Sequence, residues 1–133
     1  MGRALILDTV TLIDYEQDRL DRRQFDDDDL AMAGVSIAEF RVGAELADTP
    51  DRKAARLQAL ADLSSYVEAL DYTETTATEH ALLLAHVRRI GRPRGAHDLI
   101  IAAHARETGR TVVSRDASAR FGDLPGVTAI SPV

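Results

Sequence analysis

The chain has 133 residues, 45% hydrophobic but only 5% aromatic, which supplies one core built on Ala, Leu, Val and Ile and excludes two. Having no cysteine, it excludes a disulfide framework and a thiolate metal site, and it fits a cytoplasmic location. A net charge of −6 excludes a basic nucleic-acid coat protein but leaves room for an enzyme whose acids gather around a metal.

Taken in order, Met1-Gly2-Arg3 precedes only four apolar residues, so no secretory signal is expected, and no run approaches a transmembrane span. Ala4-Leu5-Ile6-Leu7 reads as a strand buried on both faces, with Asp8-Thr9 at its carboxyl end. There Asp8 either caps a helix beginning near Val10 or faces a ligand, since open parallel sheets bind at that edge. Leu12, Ile13 and Tyr15 begin that helix. Asp26 to Asp29 lacks the alternating ligands, central Gly and terminal Glu of a calcium loop, and is expected as a solvated turn.

Leu30 to Ser36 is expected as a second strand, followed by Ser36-Ile37-Ala38-Glu39 in the form of a capping box. That box would account for Glu39 without any chemistry; a carboxylate entering a site is the competing reading. Phe40, Gly43, Ala44 and Ala47 continue the helix to Thr49-Pro50, and Ala54 to Ser65 forms another. Val67 to Leu70 is a brief strand. Thr76-Ala77-Thr78-Glu79 repeats the capping-box form before a helix that ends at Gly91, with Pro93 beyond. Arg88, Arg89, Arg92 and Arg94 form the only dense basic cluster, suited either to the helix dipole or to phosphate contact.

Gly95 to Ala105 opens a helix with Asp98 in its first turn, where an acid complements the dipole or serves a pocket. Thr111 to Ser114 is a strand with Arg115-Asp116 at its end, and Val127 to Ile130 is the last strand. Strands and helices alternate throughout, as in a mostly parallel sheet covered on both faces. His80, His86, His97 and His104 have no tight ligand spacing and are expected as surface or structural residues.

Asp8, Glu39, Asp98 and Asp116 thus stand at four element ends. Gathered together, with no Cys and no clustered His, they would make a hard oxygen site for Mg²⁺ or Mn²⁺. Such an ion lowers the pKa of bound water and offsets phosphoryl charge. No Gly-x-Ser-x-Gly elbow and no phosphate-cradling Gly loop offers another chemistry.

As a set, Leu7-Asp8-Thr9, Ser36-x-x-Glu39-Phe40, Gly95-x-x-Asp98-x-x-Ile101-Ala102-Ala103 and Val113-Ser114-x-Asp116 resemble a PIN-domain nuclease. The short chain and its Phe121 to Val127 ending resemble the VapC toxin branch. The resemblance implies one domain over residues 1–133: an α/β, PIN-like three-layer α/β/α sandwich around a mostly parallel sheet of four to five strands. It implies a Mg²⁺- or Mn²⁺-dependent endoribonuclease that forms homodimers and is inhibited by a VapB-type antitoxin. By position, Asp8, Asp98 and Asp116 would hold the metal and Glu39 would act directly or through a coordinated water. Thr9 and Ser114 would orient the carboxylates; on their charge, not on the resemblance, Arg88, Arg89, Arg92 and Arg94 are the candidates for RNA contact. Arg120 stands where many relatives carry a further acid, which leaves Asp116 alone at that corner; Val10 replaces a small polar residue.

Two other classes share parts of this pattern. A receiver-like signalling domain also gathers acids at strand ends, but needs adjacent acids after its first strand and a Lys after its last; the only lysine is Lys53. A catalytically inactive PIN-fold binding module would keep the fold without the reaction. Within the nuclease reading, Asp98→Asn is expected to abolish cleavage and His97→Ala to be tolerated.

Overall fold

The computed structural model describes residues 2–133. Its centre is strand β1 (Ala4–Leu7), where Leu5, Ile6 and Leu7 are all fully buried. Both faces of β1 are covered, so the strand is continuously apolar rather than alternating. Around it lie β2 (Asp29–Ala33), β3 (Glu68–Leu70), β4 (Thr111–Val113) and β5 (Ala129–Ile130). All four strand pairings are parallel, and the order across the sheet is β3-β2-β1-β4-β5.

The helices are α1 (Thr9–Glu16), α2 (Gly34–Glu45), α3 (Pro50–Ser64), α4 (Glu74–Ile90) and α5 (Ala96–Thr108). The pleat sends alternate side chains of β1 into two separate cores. Ile6 joins Leu83 and Val87 of α4 and Leu99 and Ala102 of α5. Leu5 and Leu7 join Leu12 and Tyr15 of α1 and Leu63 of α3, with Ile37 and Phe40 of α2 packed alongside. The result is a three-layer α/β/α sandwich around a five-stranded parallel sheet. No helix among the described residues is long and apolar enough to cross a membrane.

The topology fixes where a site can form. From β1 the chain moves outward to β2 and β3, then returns across the sheet to β4 and β5. The connections therefore diverge at the carboxyl ends of β1 and β4, the switch point where open α/β sheets leave a crevice. Receiver domains use the different order 2-1-3-4-5, so the strand order removes the receiver-like alternative.

Several local expectations need correction. β2 stops at Ala33 and α2 begins at Gly34, with no side-chain cap on its first turn, so Ser36 lies inside the helix and forms no capping box with Glu39. α2 ends at Glu45; Thr49 instead caps α3, accepting from the Arg52 amide at 3.1 Å with Pro50 at the first helical position. The box on α4 joins Thr73 with Thr76 rather than Thr76 with Glu79, and Glu79 accepts from Arg106 Nε at 2.7 Å. The Asp26–Asp29 run is not wholly solvated: the Asp28 side chain is 6% exposed and accepts from Arg3 Nη2 at 2.7 Å.

Candidate active site

At the carboxyl edge of the sheet, a cavity of about 360 Å³ is lined by Asp8, Glu39, Asp98 and Asp116, with Thr9, Val10, His97 and the Gly95-Ala96 backbone between them. Each acid arrives by a different route.

Asp8 follows β1 directly and caps α1. Its Oδ1 accepts from the Thr11 amide at 3.0 Å and its Oδ2 from the Ser114 hydroxyl at 2.5 Å. Both readings of Asp8 therefore hold in geometry: it caps a helix and faces the pocket. The carboxylate is almost fully buried, and these donors replace its lost hydration. Ser114, at the end of β4, also accepts from the Asp116 amide at 3.1 Å, so one hydroxyl ties β1 to the loop carrying the fourth acid. Asp116 caps a short 3₁₀ turn, Ala117–Ala119, and accepts from the Ser118 amide at 2.9 Å. The Ser118 hydroxyl and amide hold the Asp116 carboxyl below the usual range.

Asp98 stands in the first turn of α5, beside the amides left free at the helix start. Its pKa is nevertheless raised, first by burial and then by the charges of Asp8, Asp116 and Glu39; His97 acts in the opposite direction. Gly95 leaves room for this carboxylate, because a Cβ there would lie 3.2 Å from Asp98 Oδ2.

Glu39 comes from the second turn of α2. Freed from the expected capping box, it accepts from Thr9 Oγ1 at 3.4 Å and meets His97 Nδ1 at 2.5 Å. Thr9 is in turn bonded to the Ser36 hydroxyl at 2.9 Å. The contact of His97 with Glu39 crosses 58 residues of sequence and was not anticipated; the only signal was the position of His97 next to Asp98. Ser36 and Ser118 were likewise missed as supports.

None of the four arginines of the basic cluster lines this cavity. Arg88, Arg89 and Arg92 are exposed and, among the described residues, have no ion-pair partner. Arg94 is engaged: its Nη1 donates to the carbonyls of Ala119 at 3.2 Å and Arg120 at 3.0 Å.

The donor set consists of carboxylate oxygens, the choice of hard divalent cations such as Mg²⁺ and Mn²⁺. Among the described residues no three acids or histidines are placed to hold a metal ion as they stand. The fit is one of charge and room: the acids push one another's protonation upward at Asp98, and the open cavity accommodates the waters that Mg²⁺ retains.

The PIN domain profile matches residues 5–125. A ribonuclease VapC5 of Mycobacterium tuberculosis is 32% identical over 127 residues, covering 96% of this chain and 92% of that one. A tRNA(fMet)-specific endonuclease VapC of Shigella flexneri is 32% identical over 87 residues, covering 65% of this chain and 64% of that protein. The match to this relative thus spans just under two thirds of its length. Among solved structures, DNA-bound VapBC from Salmonella typhimurium superposes with a TM-score of 0.81 at 27% identity, covering 98% of each chain.

Proposed function

Since the chain belongs to the PIN-domain family, in its VapC branch, we propose that it is a divalent-metal-dependent endoribonuclease acting as the toxin of a toxin–antitoxin pair. The observation carrying this reading is the meeting of four carboxylates from β1, α2, α5 and the loop after β4 in one open cavity. Among the described residues Asp8, Asp98 and Asp116 have no ion-pair partner and Glu39 has only His97.

In this reading Asp8 and Asp98 are the principal ligands of Mg²⁺ or Mn²⁺, with Asp116 completing the set. When bound, the ion lowers the pKa of water and offsets the charge that develops on a phosphodiester. Ser114 fixes the Asp8 carboxylate, a support that orients a ligand and raises its basicity. Glu39, held by Thr9 and His97, orients water on the α2 side of the cavity rather than ligating directly. The exposed Arg88, Arg89 and Arg92 attract the polyanion toward an acidic site that would otherwise repel it. As in the VapBC complex of Salmonella typhimurium, the partner is a VapB-type antitoxin in a hetero-oligomer. It inhibits by presenting Arg or Lys to Asp8 and Asp98, a charge-assisted contact that competes with the metal.

The test is the chemistry of the cut ends. Purified protein is incubated with structured RNA in Mg²⁺ or Mn²⁺, and again with chelator. Attack by water leaves a 5′-phosphate and a 3′-hydroxyl, because the RNA 2′-hydroxyl takes no part. Asp98→Asn should lower cleavage at least about 100-fold by removing a charged ligand. Cyclic-phosphate ends, or full activity in chelator, would refute the mechanism; no cleavage of any RNA by the wild-type chain would refute the nuclease itself.

A further inference from the structure

Beside the loop 91–95 lies a second, smaller cavity of about 220 Å³, between the end of α4 and the start of α5. We propose that it receives one unpaired nucleobase of the RNA, adjacent to the phosphodiester held at the acids. The proposal rests on the nuclease reading above and adds a subsite to it.

Three features carry it. First, the cavity is floored by the core itself: Val87 and Leu99 are buried core residues, and Leu84 and Pro93 complete apolar walls. An opening below the roughly 300–1,000 Å³ of sites for larger ligands suits a single flat heterocycle. Second, two arginines, Arg88 and Arg94, line the same cavity. Unstacked RNA bases are commonly sandwiched on Arg planes as well as on aromatic rings. Arg94 is already immobilised by its bonds to the Ala119 and Arg120 carbonyls, so little freedom is lost when a base packs on it.

The third feature is continuity. Arg94 lines this cavity and Gly95 to Asp98 line the acid one, so the two are separated by a few residues of backbone. A chain whose phosphate sits at Asp98 would thus have a neighbouring base to place in the second cavity. Arg89 and Arg92 stand exposed around the end of α4 to take the flanking phosphates, which positions the strand while the base supplies selectivity. This rim favours RNA over a basic inhibitor segment, which the same charges would repel.

The test begins with the wild-type protein and a mixed-sequence RNA hairpin whose cleaved bond has been mapped. Abasic nucleotides are then placed singly at each of the three positions on either side of that bond. One position should lose about 10-fold in kcat/KM, the scale of one stacked base, with the others nearly unchanged. The variant Leu84→Trp, which fills the cavity, should lose a similar factor on intact RNA and nothing further on the RNA abasic at that position. Such non-additivity assigns both losses to one contact. Because the abasic series uses unmodified protein, it stands even if Leu84→Trp fails to fold. Equal cleavage across the series, or additive losses, would overturn the subsite and leave the cavity to a protein partner. Failure of the wild-type chain to cut any RNA would overturn the nuclease reading, and the subsite with it.

Discussion

The two edges of the sheet handle charge in opposite ways. At the amino edge Asp28, Asp29 and Glu68 are each paired with an arginine. Arg110, just before β4, donates to the carbonyls of Leu5 at 3.1 Å and Asp29 at 3.0 Å and pairs with the carboxylates of Asp29 and Glu68. Arg3, just before β1, binds Asp28. Side chains from outside the sheet thereby tie β1, β2 and β3 together. At the carboxyl edge four acids meet with no arginine in the cavity, only His97 against Glu39. One edge spends its charges on holding strands in register. The other keeps a repulsion that raises the Asp98 carboxyl, as the proposed cation site requires.

Removing the clamp should therefore cost stability without touching the chemistry. The Arg110 side chain is only 8% exposed, and its loss would strip two backbone carbonyls of a charged donor. The ion pairs themselves add little, because Asp29 and Glu68 are well exposed. Arg110→Ala should destabilise the fold by roughly 3 kcal/mol, or about 10 °C in Tm. RNA cleavage measured well below that Tm should stay near wild type. A large loss of activity in a variant that remains folded would mean that the two edges are not separate in role.

The converse change belongs at the other edge. Ser114→Ala removes the hydroxyl shared by Asp8 and the Asp116 amide while leaving all four carboxylates. Mutations of such supports typically cost 10–100-fold in metal affinity or activity, and about 10-fold is expected here in both. Manganese binding followed by electron paramagnetic resonance reads the affinity independently of turnover. Unchanged binding would place Ser114 outside the site's machinery and reduce its bond with Asp8 to a structural one.

How much of this was legible in the sequence follows the range of each interaction. Asp8 after Ala4–Leu7 and Asp98 in the first turn after Gly95 are local patterns, a strand end and a helix start, and both stand where the pattern places them. The five-stranded parallel sheet follows from alternation of elements in the same way. Ser36-x-x-Glu39 misled for a physical reason. Its spacing is that of a capping box, but the buried Ser36 hydroxyl bonds Thr9 and the Glu39 carboxylate bonds His97. Those tertiary partners, 27 and 58 residues away, override the local motif. The helix also starts at Gly34 with only Ala33 before it, so no capping side chain marks the boundary. Arg94 reads as one of four equivalent basic residues until the fold brings the Ala119 and Arg120 carbonyls against it.

The smallest expected effect is the most direct measure of the contrast, because it gives the two edges opposite signs. Arg3 holds the Asp28 carboxyl below its usual range. A depressed folded pKa contributes stability above the unfolded value and loses it as pH falls through the folded one. Asp28→Asn should thus lower Tm at neutral pH, and the difference from wild type should shrink on acidification. Asp98 is raised, by burial and by Asp8, Asp116 and Glu39. A raised folded pKa favours the fold below the unfolded value, and that advantage disappears as pH climbs through the folded one. In chelator, Asp98→Asn should accordingly melt above wild type at neutral pH and converge with it in acid. Adding Mn²⁺ should raise the Tm of wild type much more than that of Asp98→Asn, since binding to the folded state stabilises it by mass action. Two pairs of melting curves against pH decide the matter. Shifts of the same sign for both variants would mean that the carboxyl-edge acids are as well compensated as those clamped by arginine, and the case for a cation there would fail.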